Sequence, residues 1–260
     1  MGRARQIVKG IWWVGCGSWG RRTEVLSAEG SGNVFLADGG DDYALIDAGM
    51  PNGADAVLEN ITGAGARPKD IRRIVLTHSH GDHVLAAPEL KKATGARIAA
   101  SQLAAKALAG DKETRKMLFV RHDVTFKVDE VLADGDEISL GGYTFEVIST
   151  PGHIPCSITL TGEVAGRKVI FTGDTAIGDQ YGMKGVVGWL NGLWGANPKH
   201  LLKSIERISQ FRADLMLPGH GRPIEGRENV RTSLQHCAHR LNQLLAIPDL
   251  GSMMPINMED

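Results

Sequence analysis

The sequence predicts an α/β protein in which two mixed β-sheets pack face to face under helices, a four-layer αββα sandwich. Two observations carry that expectation. Short apolar runs bounded by glycine and charged turns occur near the N-terminus and again from about residue 124. Segments with helical spacing accompany the strands in each half, and a sheet's apolar face must be covered by another layer. The 260 residues suffice for a sizeable core. No linker-like stretch divides them, so residues 1–260 read as one domain.

Taken in order, QIVKGIWWVG, SGNVFLAD and DYALIDAG read as strands. If IWWVG is a strand, Trp12 and Trp13 point to opposite faces. ADAVLENITGAG is a helix, opened near Pro51 and Asn52 and closed near Gly63 and Gly65. IRRIVLTH is an apolar strand. The spacing then predicts a helix over HVLAAPELKKATG, with Asp82 as its cap. RIAAS reads as a strand and SQLAAKALAG as a helix, while KETRKMLFVRHD is amphipathic and ambiguous. VTFKVDEVL, GDEISLGGYTFEVIST and SITLTGEVAGRKVIFTGD return to strands. KHLLKSIERISQF is an amphipathic helix, with Leu201, Leu202, Ile205 and Ile208 three and four apart. ADLMLPGHG is a last strand and turn, and residues 228–260 form a closing helix and tail.

Composition narrows the function. With 29 basic and 30 acidic side chains the net charge is −1, which argues against a chain-wide nucleic-acid surface. The three cysteines, Cys16, Cys156 and Cys237, are odd in number and widely spaced, which favours a reducing compartment over a disulfide framework. No signal peptide and no run of roughly 20 apolar residues is visible. The expectation is a cytoplasmic protein, away from membranes and nucleic acid, that acts on a small molecule, with a homo-oligomer left open.

The chemistry concentrates in THSHGDH. Three histidines and an aspartate, His78, His80, Asp82 and His83, fall within six positions. His78 and His80 are two apart and point the same way on an extended segment. Gly81 permits a turn that swings Asp82 and His83 toward the same volume. Imidazole and carboxylate are ordinary ligands of zinc, iron and manganese. Three more candidates end apolar runs beside glycine: His153 in VISTPGH, Asp174 in VIFTGDT and His220 in LMLPGHG. Any one of these alone would read as a turn residue. Seven together exceed what one catalytic zinc takes and suit two metals, with a carboxylate between them.

HxHxDH after an apolar strand, followed in order by TPGH, FTGD and PGHG, resembles the metallo-β-lactamase superfamily. LIDAG resembles that superfamily's early strand motif. The likeness runs from about residue 30 to about 225, and it does not choose a subfamily. It implies the αββα fold with the site at one edge of both sheets. One metal would be held by His78, His80 and His153, and another by Asp82, His83 and His220. Asp174 would bridge them, and Asp47 in LIDAG would orient a metal-binding histidine from behind. The implied cofactors are two divalent ions, zinc first, with iron or manganese fitting the same ligands.

Such a pair can share a hydroxide and clamp a polarised oxygen. The implied activity is a metallo-hydrolase that cleaves an ester, lactone, thioester or amide carbonyl bond, with Asp82 as ligand and orienting carboxylate. The same motif leaves open a mononuclear iron oxidoreductase of the persulfide dioxygenase type, and a phosphodiesterase or nuclease. Only 40 residues follow His220, room for one helix and a tail rather than a glutathione-gripping helical region. TPGHIPCS places Cys156 where the family often has glycine, and a small buried thiol is the favoured reading over a metal ligand. Residues 178–197 hold six glycines directly after Asp174. Tyr181, Trp189 and Trp194 are candidate substrate contacts there, with Leu190 and Leu193 beside them; a hydrophobic plug or dimer contact is the competing reading.

Overall fold

Alternating apolar residues close the first hairpin. β1 (Arg5–Val8) turns into β2 (Ile11–Gly15), and the two pair antiparallel. Trp13 is buried, while the half-buried Trp12 donates from Nε1 to Asp38 Oδ2 at 3.1 Å. The two rings therefore take opposite faces, as the alternation requires. The computed structural model describes residues 3–17, 25–118, 120–178, the backbone of 186–187, and 195–247.

β3 (Val34–Asp38) and β4 (Tyr43–Ile46) continue the antiparallel run. β5 (Ile71–Leu76), β6 (Arg97–Ser101) and β7 (Glu130–Leu132) then add in parallel. The result is a mixed seven-stranded sheet in the order β1 to β7. Parallel neighbours need crossovers. These are α1 (Ala54–Gly63) before β5, α2 (Gly81–Val84) and α3 (Ala87–Thr94) before β6, and α4 (Gln102–Leu108) and α5 (Lys112–Met117) before β7.

The second sheet holds β8 (Glu137–Leu140), β9 (Tyr143–Ser149), β10 (Ile158–Val164), β11 (Arg167–Gly173), β14 (Leu215–Pro218) and β15 (Ile224–Glu225). Its order is β15-β14-β11-β10-β9-β8, and only β11 and β14 run parallel. Their crossover contains α6 (Pro198–Ser209). A short pair, β12 (Ala176–Ile177) with β13 (Val186–Val187), branches off after β11. α7 (Arg227–Leu245) closes the described chain.

Side-chain alternation sorts the core into three layers. Phe35, Val75, Phe145, Phe171 and Leu215 meet between the sheets. Ile74 and Leu76, the neighbours of Val75, face outward onto Val57 and Ile61 of α1 and Leu90 of α3. Ile170 and Met216 face the other way, onto Leu201 and Ile205 of α6 and Leu234 of α7. Helix, sheet, sheet and helix follow in that order, the expected αββα arrangement. Burying one such large side chain contributes about 1.5–3 kcal/mol.

Two local expectations are corrected. Of the VTFKVDEVL strand only Glu130–Leu132 pairs; Val124 to Val128 leave the sheet edge, and Phe126 N donates to the Leu108 carbonyl at 2.8 Å instead. The helix expected over 83–95 is two pieces, because Ala86 N turns back to the Gly49 carbonyl at 3.0 Å. Asp82 lies within the first turn of α2, and His80 occupies the cap position.

The turn that carries His153 is pressed against α6. Gly152 sits at φ +137°, and a Cβ there would come within 2.3 Å of the Leu201 backbone. Neither atom of that backbone is free to swing away, since Leu201 N donates to Asn197 O and Asn197 N donates to Gly152 O. Gly152→Ala is therefore expected to destabilise the protein by about 2–4 kcal/mol, through overpacking and an unfavourable φ. Urea unfolding would check this, and an unchanged midpoint would refute the packing account.

Candidate metal centre

Strand ends bring the seven side chains together. The loop after β5 carries His78, His80, Asp82 and His83. The turns after β9, β11 and β14 deliver His153, Asp174 and His220 from the second sheet. Two adjoining groups result. In one, His78, His80, His153 and Asp174 each offer a ligand atom; in the other, Asp82, His83 and His220 do so. Within each group those atoms lie within 4.8 Å of one another.

Asp174 stands between the groups. Its Oδ2 is 3.4 Å from His153 Nε2, 3.4 Å from His220 Nε2 and 3.9 Å from His78 Nε2. Its Oδ1 is 3.5 Å from His83 Nε2. Asp82 Oδ2 is 3.0 Å from His220 Nε2 and 3.6 Å from His83 Nε2. Nitrogen faces nitrogen elsewhere: His153 Nε2 to His80 Nδ1 is 3.0 Å, and His83 Nε2 to His220 Nε2 is 3.2 Å. Among the described residues, His78 Nε2 and Asp174 Oδ1 are buried and make no hydrogen bond. Buried polar atoms are nearly always satisfied. The unmatched lone pairs of His78 Nε2 and Asp174 Oδ1 fit a divalent cation.

The two groups differ in charge. Burial, followed by the neighbouring His153, pushes His80 down to about 3. Burial and the adjacent His83 also hold His78 well below its ordinary value. These rings are therefore held neutral. Burial would lower His83 and His220 too, but carboxylates outweigh it. Asp82, Asp174 and Asp47 raise His83 to about 9, and Asp174 with Asp82 raises His220 to about 10. Burial works to raise Asp174, yet His220 and His83 hold it well below the carboxylate range. Protons on His83 and His220 thus occupy the places a cation would take.

Behind these candidate ligands lies a support built on Asp47. It occupies the left-handed region at φ 60°, which costs a residue other than glycine about 1–3 kcal/mol. Three contacts hold it there. Thr77 N donates to Oδ1 at 2.7 Å, the Thr77 hydroxyl lies 2.9 Å from Oδ2, and His83 Nδ1 lies 2.8 Å from Oδ2. The same hydroxyl is 3.0 Å from His78 Nδ1. A hydroxyl that donates to the carboxylate accepts from His78 Nδ1–H, which turns the His78 Nε2 lone pair inward. One carboxylate therefore orients a histidine in each group, directly for His83 and through Thr77 for His78.

Glycines let backbone close on these side chains. A Cβ on Gly219 would stand 2.2 Å from Asp174 Oδ1, one on Gly32 2.7 Å from His83 Cε1, and one on Gly173 2.7 Å from the Thr77 hydroxyl. Asn33 ties the His220 turn down, donating from Nδ2 to the carbonyls of Pro218 and Gly221 at 2.8 and 2.9 Å. Sequence reasoning missed Thr77, Asn33 and the packing role of these glycines. Thr77 directly precedes the histidine motif, a usable signal; Asn33 carries none, because the two carbonyls it ties down lie 185 and 188 residues away.

Cys156 joins neither group. Its Sγ lies 3.4 Å from the Ser79 hydroxyl, and burial pushes the thiol up to about 11, so it stays a buried thiol. Tyr181, Trp189, Leu190, Leu193 and Trp194 lie outside the described residues. The ends of their segment border the site: Gly178 N donates to the His220 carbonyl at 2.8 Å, and Gly195 packs against Pro155.

Comparison with known proteins agrees with this geometry. Residues 28–220 match the family described as the metallo-beta-lactamase superfamily, and the chain belongs to it. Among relatives, the probable metallo-hydrolase YflN of Bacillus subtilis is 26% identical over 78% of this chain and 83% of its own. The hydroxyacylglutathione hydrolase of Cereibacter sphaeroides is 28% identical over 69% of this chain, which spans only 62% of that protein. Among solved structures, a metallo-beta-lactamase from Cronobacter sakazakii superposes with a TM-score of 0.73 at 24% identity, covering 95% of this chain and 98% of its own. BJP-1, a subclass B3 metallo-beta-lactamase of Bradyrhizobium japonicum, gives 0.71 at 20% identity, over 97% and 96%. At such identity these structures establish the fold.

The charge difference has a measurable consequence. Cation binding at Asp82, His83 and His220 must displace protons from two histidines raised to about 9 and 10. Those protons are held more firmly as pH falls. Affinity at this group should therefore fall about tenfold or more per unit from about pH 8.5 to 6, while the His78 and His80 group changes far less. Zinc titration against a chelator at several pH values would show two separable pH dependences, and one shared slope would contradict the assignment. Asp47→Asn should weaken zinc binding by about 10–100-fold, read in the same titration.

Proposed function

We propose that this chain is a metal-dependent hydrolase of a carbonyl bond in a small molecule, an ester, lactone, thioester or amide. The observation that carries the reading is Asp174, buried between a three-histidine group and the Asp82, His83 and His220 group. That arrangement suits a pair of divalent ions, zinc in the first instance. When bound, such ions supply Lewis acidity and make hydroxide available near neutral pH.

The chain's own residues define the rest. Asp174 and Asp47 are 6% and 3% exposed at the side chain, whereas Asp82 is 20% exposed. Among the carboxylates of the site, Asp82 is thus the one that meets solvent and substrate. Burial acts to raise it, but His83 and His220 hold it ionised. Its Oδ2 can orient an attacking water, accept its proton and return that proton to the leaving group. His78 and His80 hold the opposite side with neutral imidazoles, and His153 stands beside them. Tyr181, Trp189 and Trp194 are proposed to wall the substrate's apolar part. A relative named for hydrolysing a hydroxyacyl-glutathione favours carbonyl over phosphorus chemistry, and a thioester is the first substrate to try.

A panel of a thioester, a lactone, an aryl ester, a β-lactam and a phosphodiester, run on zinc-loaded and chelator-stripped protein, tests this. One carbonyl class should turn over at a kcat/KM of about 10⁴ M⁻¹s⁻¹ or more, and stripping should abolish it. Turnover of the phosphodiester alone would overturn the carbonyl assignment. Asp82→Asn should lower kcat by about 10²–10⁴-fold on the substrate found.

A further inference from the structure

The chain contains nine histidines, and a sixth one stands at the metal loop. His122 follows α5 on a segment without regular structure. Its ring lies over Gly81, the residue between His80 and Asp82. A Cβ built on Gly81 would come 3.6 Å from His122 Cδ2. His122 Nδ1 is 3.1 Å from the Val124 carbonyl oxygen. A carbonyl only accepts, so Nδ1 carries the proton of the neutral ring. Nε2 is buried and has no hydrogen-bond partner among the described residues.

The ring has a firm backing. Arg115 donates from its guanidinium to the His122 carbonyl and to that of Ala107, the latter at 3.2 Å. Val120 N donates to the Arg115 carbonyl at 2.9 Å. His122 is thus fixed to α4 and α5, and through them to the first sheet. On the loop's other flank, the Ser79 hydroxyl meets Cys156 Sγ in the turn that follows His153. The backbone from Ser79 to Gly81 is held between these two contacts.

We propose that His122 is a positioning residue of the metal loop. By bracing Gly81 it sets the separation between His80 in one group and Asp82 in the other. This rests on the reading of those groups as a metal centre. His122 belongs to neither group of candidate ligands. Its fixed tautomer, with Nδ1 on Val124, keeps the ring in one orientation against the loop.

The test uses full-length protein with zinc and cobalt(II) as probes. His122→Ala should weaken zinc binding about tenfold in chelator competition, in line with the loss of other groups that support ligands. It should also shift the visible spectrum of the cobalt(II) form, while urea unfolding of the metal-free protein stays near wild type. His122→Asn keeps a donor for Val124 and should recover most of the affinity. Unchanged zinc affinity and cobalt spectrum in the alanine variant would overturn the proposal. So would an alanine variant whose metal-free form loses as much stability as its metal binding does, because His122 would then serve the fold alone. Wild-type protein that takes up no zinc would instead refute the metal centre itself.

Discussion

A buried carboxylate governs this molecule. Asp174 lies within 4 Å of four imidazoles that come from three separate turns. An uncompensated charge at that depth would cost several kcal/mol. Compensation requires that β5, β9, β11 and β14 all end at one edge, with their turns inclined toward one point. The order of the strands, the parallel pairing of β11 with β14 and the tight glycine turns all serve that convergence. Asp47 repeats the logic a layer deeper, where an unfavourable backbone conformation is retained because it aims a carboxylate at Thr77 and His83.

The split of the site into a neutral half and a charged half follows from the same placement. His78 and His80 sit against other histidines and the apolar interior, so burial wins and they stay unprotonated. His83 and His220 face Asp82 and Asp174, so Coulomb attraction wins and they hold protons. Burial acts to lower all four, so the nearest charges decide the sign of each shift. The proposed hydrolysis would draw on both characters, lone pairs that bind a cation and a partly exposed carboxylate that handles a proton.

Much of this was legible in the sequence, for identifiable reasons. The seven ligand candidates announce themselves because polar residues at the ends of apolar runs, beside glycine, have few structural uses. The layering was legible because β5, β11 and β14 alternate their apolar residues between two buried faces. What failed was local. Val124 to Val128 look like a strand by composition, but the parallel edge beside β6 is filled from Glu130 onward, and the preceding residues cover α4 instead. Asp82 resembles a helix cap by type and position, yet its carboxylate is engaged by His220. Thr77 and Asn33 act through contacts that no periodicity encodes. His122 was invisible for the same reason, since its partner Gly81 is 41 positions away.

The two sheets share the site unequally: four of the seven side chains follow a strand of the first sheet, and three follow strands of the second. The site therefore straddles the seam of the sandwich. Any sliding of one sheet over the other would change the spacing between His80 and His153, or between Asp82 and His220. What prevents such shear is the interlocked ring cluster of Phe35, Phe171 and Phe145, with centroids 5.7 and 5.6 Å apart in sequence along the seam. Those rings hold no polar atom and touch no ligand. They act as dowels between two plates, and the geometry available for chemistry at the rim is only as constant as their fit.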